Sequence, residues 1–184
     1  VTGIKTEVDR VTRLLKQYGA LAIWDYGCAA PYTYMDMRAG SDAAKDAIVF
    51  SPHKFPGGPG ASGVMILRDV IARIKTPTLP GGGTVNFVSP WGHIYSDKLC
   101  NREEGGTPNV IGDIRAALSM LVKEALGQSW LDQRHADLRA RALVVWAQNP
   151  RIEVLGLPDT EALPIFSIRI RDGNGGYVHH QFFT

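Results

Sequence analysis

Lys54 stands in the string Ser51-Pro-His53-Lys54-Phe-Pro-Gly57-Gly58-Pro-Gly60, directly after the apolar run at residues 47–50. Asp25 closes another apolar run, Ala20-Leu-Ala-Ile-Trp24. Groups of these types suit one kind of chemistry. An amine condenses with an aldehyde to an imine, a carboxylate keeps a nitrogen heterocycle protonated, and small donors such as Ser51 and His53 hold a phosphate. Glycines at 57, 58 and 60 let the backbone turn tightly and approach a ligand. Each group also has a plainer reading. A lysine in a Gly/Pro loop is ordinarily a solvated surface residue, and an aspartate after a strand can cap a helix or close a turn. A nucleotide phosphate loop is excluded, because the glycines lack a Gly-Lys-Ser/Thr ending.

The elements that must position these residues follow from periodicity. Val8, Val11, Leu14 and Leu15 recur at three- and four-residue spacing and predict an amphipathic helix over 5–18 with Gly19 as its cap. The continuous apolar runs 20–24, 47–50 and 63–67 predict strands, the first two buried on both faces as in a parallel sheet. In such α/β sheets ligands bind beyond the carboxyl ends of the strands, where Asp25 and the Ser51–Lys54 group fall. Residues 76–83 are rich in Pro and Gly, and 84–95 read as a loop with short extended pieces. Apolar periodicity predicts helices over 109–127, stopped by Gly127, and over 129–148. From Arg151 the texture changes to short extended pieces at 152–155 and 164–171, with a turn at 172–176.

Composition bounds the remaining classes. The chain has 184 residues, 45% hydrophobic and 21% charged, with a formal net charge of +2, which is ordinary for a globular protein and gives no footprint for nucleic acid. No apolar run approaches the roughly 20 residues that cross a bilayer. The N-terminus reads as a polar helix rather than a signal peptide. Cys28 and Cys100 have no metal-ligand spacing, and the five histidines form no zinc-type motif, with His179 and His180 expected to point apart. Two isolated cysteines predict a reducing compartment, hence a cytoplasmic protein. A first residue other than Met, and an aromatic C-terminus, predict a piece of a longer chain.

The string Ser51-Pro-His53-Lys54 with its Gly-rich continuation resembles the lysine signature of the class V aminotransferases, a family of pyridoxal-5'-phosphate (PLP) enzymes that includes cysteine desulfurases and selenocysteine lyases. Asp25 matches the family's aspartate in kind and place. Arg102-Glu-Glu-Gly-Gly-Thr107-Pro-Asn109 resembles the segment whose threonine reaches a partner subunit's cofactor phosphate, and His179-His180-Gln-Phe182 resembles a small-domain segment. The resemblance runs over essentially the whole chain.

It implies a fold-type I PLP-dependent transferase, α/β in class. Residues 1–126 would be the C-terminal part of the large domain with its long linking helix, and 127–184 the start of the small α+β domain. Lys54 would be the Schiff-base lysine and later the proton shuttle, with Asp25 on the pyridinium nitrogen. Ser51 and His53 would hold the phosphate, and Thr107 would reach it from the neighbour in a homodimer with a shared active site. The substrate would be a small amino acid, transaminated or stripped of sulfur or selenium. Cys28 departs from the pattern, since desulfurases often place glutamine there against the ring hydroxyl; a buried structural role is the other reading. The family's N-terminal phosphate turn, stacking aromatic residue, substrate arginine and persulfide cysteine have no counterpart here, so the chain alone is expected to be inactive. The alternative from another class is a noncatalytic fragment or paralogue that keeps the fold for dimerisation.

Overall fold

The computed structural model describes residues 2–156 and 160–182. Helix α1 (Val8–Gln17) precedes strands β1 (Ile23–Asp25), β2 (Ala47–Phe50) and β3 (Val64–Leu67), which form one sheet in that order. Gly19, in the left-handed region at φ +67°, ends α1: its N–H donates to the Lys16 carbonyl, and that of Ala20 to Leu15. β1 and β2 run parallel, with Ile23 opposite Ala47 and Asp25 opposite Val49, so their carboxyl ends share one sheet edge. β3 is antiparallel to β2.

Two expectations need correction here. The parallel reading holds for β1 and β2, but β3 makes the sheet mixed, because residues 51–63 are too rich in Pro and Gly to build the crossover helix that a parallel return needs. Burial on both faces fits central β2, where Ala47, Ile48 and Phe50 are buried, but not the run 20–24 that leads into β1, where Leu21 and Ile23 are each more than half exposed. Among the described residues β1 pairs with β2 alone.

The core lies under the site edge of this sheet. Tyr26, Ala30, Ile48, Phe50 and Phe55 form its buried cluster, with Trp24, Met35, Met37 and Val64 packed against it. Phe50 and Phe55 stack with ring centroids 6.2 Å apart, which anchors the residue immediately after Lys54. Polar ties hold the other end. The buried Asp46 carboxylate accepts from the Ala22 N–H (2.8 Å), pairs with Lys16 and lies 3.4 Å from Arg68, joining α1 and all three strands. Burial alone would raise its pKa; the hydrogen bonds from Lys16 and Ala22 and the charges of Lys16 and Arg68 outweigh this and hold it below the usual carboxylate value. Thr12, fully buried on α1, accepts from the Trp24 indole N–H at 2.9 Å.

Beyond the sheet, β4 (Val85–Ser89) and β5 (Gly92–Tyr95) pair as a hairpin where the sequence reads as a loop with extended pieces. Short α2 (Leu99–Glu103) leads to α3 (Val110–Leu126), which Asn109 caps through its side-chain oxygen to the Gly112 N–H. Gly127, at φ +79°, separates α3 from α4 (Gln128–Ala147). β6 (Ile152–Leu155) and β7 (Ser167–Ile170) form an antiparallel pair, and an isolated bridge ties Ile4 to Ala162. His179 and His180 do not point apart: at the start of the last 3-10 turn their rings lie 4.2 Å from each other. No helix of the described residues is long and apolar enough to cross a membrane.

Candidate active site

The shared carboxyl edge of β1 and β2 opens on a cavity of about 710 Å3 lined by Asp25, Cys28, Ser51 and Lys54. Asp25 arrives there as the last residue of β1. Its Oδ1 accepts from the Gly27 N–H at 2.6 Å, while Oδ2 makes no hydrogen bond among the described residues. A Cβ on Gly27 would lie 2.9 Å from Asp25 Oδ1 and 3.7 Å from Ser51 Oγ, so the absent side chain is what lets these groups share one corner. Ser51 follows β2, and Pro52–Lys54 form a 3-10 turn closed by the Phe55 N–H on the Pro52 carbonyl (2.9 Å).

Three lysines line the cavity, and their partners distinguish them. Lys5 pairs with Glu161 at 2.5 Å. Lys45 is buried, donates to the Asp36 carbonyl at 2.6 Å and lies 3.5 Å from Asp9. Lys54 is exposed, and its Nζ meets only Cys28 Sγ, at 3.8 Å, among the described residues. Lys54 is therefore the lysine whose amine stands open to an incoming carbonyl. Asp9 is held below the usual carboxylate value chiefly by the hydrogen bond from Arg38, whose charge and that of Lys45 add to it against a burial effect. Tyr26 is pushed above the usual phenol value by burial, then by Asp9 and Asp36.

Two site residues expected from the sequence lie apart from this group. His53 is exposed and lines a second cavity, of about 470 Å3, which it shares with Lys54. Thr107 is exposed on the loop between α2 and α3, outside both cavities. Cys28 is exposed and free rather than a buried structural residue.

Sequence reasoning missed the braces. Lys123 of α3 donates to the carbonyls of Ala30 (2.7 Å) and Thr33, and Gln128 of α4 donates to that of Tyr32 (2.8 Å), fixing the loop that follows Asp25. Nearer the start of α3, Arg115 donates to the Pro59 carbonyl (2.8 Å) and Gly112 accepts from the Ser62 N–H (3.1 Å), fixing the loop that follows Lys54. The one available signal was Lys123 directly after the apolar run Met120-Leu-Val122.

The chain matches the family model for aminotransferase class-V over residues 1–182 and belongs to that family, whose members use PLP. A probable cysteine desulfurase of Vibrio cholerae is 30% identical over 182 residues, 98% of this chain and 42% of the relative. A probable cysteine desulfurase of Pyrococcus abyssi is 27% identical over 139 residues, 76% of this chain and 34% of the relative. Among solved structures, an apo cysteine desulfurase of Thermococcus onnurineus superposes with a TM-score of 0.79 at 24% identity, covering 94% of this chain and 42% of that one. The Escherichia coli cysteine desulfurase in its S-sulfonic acid form gives 0.75 at 24% identity, covering 98% and 42%. The fold is thus that of the fold-type I PLP-dependent enzymes, and the chain spans about two-fifths of the length of these relatives.

The residues present fit the cofactor. An open amine, a carboxylate with a free oxygen and the Ser51 hydroxyl, which has no hydrogen-bond partner among the described residues, line one cavity of the size that takes a small cofactor.

Proposed function

We propose that this chain is part of a PLP-dependent enzyme acting on small amino acids, of the aminotransferase or cysteine desulfurase and selenocysteine lyase type, with Lys54 as the cofactor-bearing residue. The observation that carries the reading is the meeting of an otherwise unpaired Lys54 amine with Asp25 and Ser51 in one cavity. Both named relatives being probable cysteine desulfurases favours the sulfur-removing branch.

Bound there, PLP supplies an electron sink for the bond broken at a substrate's α-carbon. The chain's residues do the rest. Lys54 Nζ would hold the cofactor and would move the proton at a substrate's α-carbon. Asp25, through Oδ2, would face the ring nitrogen and favour its protonated form, as a carboxylate beside a pyridinium does. Oδ1 stays on the Gly27 N–H, which fixes the carboxylate plane. Ser51 donates to the phosphate, and His53 joins it from the neighbouring cavity wall. Thr107, exposed on its loop, reaches the phosphate of a second subunit in a homodimer, for which the apolar face of α3 (Ile111, Ile114, Leu118 and Leu121, each at least half exposed) is available surface. Gly127 marks the division between a large-domain part, 1–126, and the start of the small domain, 127–184.

Borohydride reduction of the PLP-loaded enzyme containing this chain, followed by peptide mapping, places pyridoxyl on Lys54. A label on Lys5 or Lys45, the other lysines of the cavity, would overturn the assignment.

A further inference from the structure

The second cavity, on the far flank of the Lys54 turn, has a chemistry of its own. Among the described residues its lining holds two lysines and two histidines, Lys54, Lys123, His53 and His135, and no carboxylate. Phe55, Leu126 and Leu131 supply apolar wall, and Tyr32 meets His135 edge to face with ring centroids 5.0 Å apart. The Lys123 ammonium has three donors, of which the Ala30 and Thr33 carbonyls take two. Neither ring nitrogen of His135 makes a hydrogen bond among the described residues. Asp132, whose charge acts on both Lys123 and His135, is not part of the wall; it accepts from Gln128 Nε2 at 2.8 Å.

We propose that this cavity binds a small amphipathic carboxylate, its apolar body against Phe55, Leu126 and Leu131 and its carboxylate on Lys123 and His135. A half-buried pair of bases with donors to spare and no wall acid attracts an anion, and the apolar wall selects a carboxylate with a hydrocarbon or aromatic body over a compact, strongly hydrated ion. Burial lowers the pKa of both Lys123 and His135 below their usual values, with Asp132 opposing in each case. A bound carboxylate offsets that penalty by favouring the protonated forms. His53 and Lys54, assigned to the cofactor above, border this cavity as well, but the proposed carboxylate partners, Lys123 and His135, are not among the residues assigned to the cofactor.

Benzoate is the probe. Titrated into the chain at constant ionic strength made up with chloride, it gives saturable calorimetric binding and moves the imidazole resonance of His135. His135→Phe keeps the ring edge against Tyr32 but removes the nitrogens, and it weakens benzoate binding about tenfold, the loss of one hydrogen bond to a charged partner. Asp25→Asn, in the other cavity, leaves binding unchanged. Four results would overturn the proposal: no saturable binding, affinity unaffected by His135→Phe, binding lost in Asp25→Asn, or inorganic phosphate binding more tightly than benzoate.

Discussion

Replacing Gly58 by alanine strikes the turn that presents Lys54 without touching Lys54 itself. A Cβ at this position would stand 1.9 Å from the Pro52 carbonyl oxygen, 2.9 Å from its carbon and 3.0 Å from the Phe55 carbonyl oxygen. Real Cβ contacts essentially never fall below 3.0 Å, so backbone must retreat by about 1.1 Å (3.0 − 1.9). The atoms in the way are the carbonyl group that accepts from the Phe55 N–H and closes the 3-10 turn, so no flexible side chain can yield instead. Overpacking costs about 1–3 kcal/mol, and a rigid backbone neighbour puts Gly58→Ala near the upper end, about 3 kcal/mol. Two neighbouring glycines separate this from a general intolerance of side chains. Gly57 has open space but φ +77°, so Gly57→Ala costs about 1 kcal/mol through the left-handed backbone alone. Gly63 has open space and no positive φ, so Gly63→Ala stays within about 0.5 kcal/mol of the parent. Urea unfolding of the three variants measures the order, and borohydride labelling of Lys54 in the PLP-loaded enzyme reads displacement of the amine. A Gly58→Ala variant as stable as Gly63→Ala would refute the steric account of the turn.

Thr12→Val leaves the Trp24 indole N–H without its acceptor and costs about 1–2 kcal/mol, followed by tryptophan fluorescence during urea unfolding; an unchanged midpoint would show that the bond contributes nothing. Asp46 has a depressed folded pKa, so its contribution is present above the unfolded value of about 3.9 and is lost as pH falls through the folded value. Asp46→Asn lowers stability by about 2–3 kcal/mol at neutral pH, and its deficit against the parent shrinks below pH 4; a deficit independent of pH argues against an ionised Asp46 knot. Asp25→Asn in the complete enzyme keeps PLP bound but lowers turnover severely, and near-parental turnover would remove Asp25 from the ring nitrogen.

The parts of this architecture that local pattern determines were legible in the sequence. Helices over 109–127 and 129–148 come out at Val110–Leu126 and Gln128–Ala147, because apolar periodicity and a positive-φ glycine are local signals. The site edge was legible for the same reason: buried β2 must stop where Ser51-Pro-His-Lys begins. What was hidden depends on partners distant in the chain. Apolar spacing on α1 pointed to Val8, Val11, Leu14 and Leu15, yet Leu14 is 52% exposed and the helix is pinned through polar Thr12 instead. Lys45 and Asp46 carry no local signal of burial in the sequence, yet both are buried, since Asp9, Lys16 and Arg68 reach them from other elements. The burial of β1 was overread: Leu21, Ile23 and Asp25 are exposed while Ala22 and Tyr26 are buried, and a continuous apolar run carries no information on whether a layer packs against each face.

The two loops of the site have no direct need to know of one another, yet both hang from α3. Arg115 grips the strand-connecting segment that carries Lys54, and Lys123, eight residues later on the same helix, grips the segment that carries Asp25 and Cys28. At 1.5 Å per residue the two grips are about 12 Å apart along the axis, a separation that a continuous α-helix holds almost without give. Helix α3 thus works as a gauge block between the two halves of the site. Substitutions on its outer face leave the gauge intact, whereas a single inserted or deleted residue between Arg115 and Lys123 changes it by 1.5 Å and turns one grip by about 100° relative to the other. The eight-residue interval is therefore as much a part of the site as the lysine and aspartate it spaces.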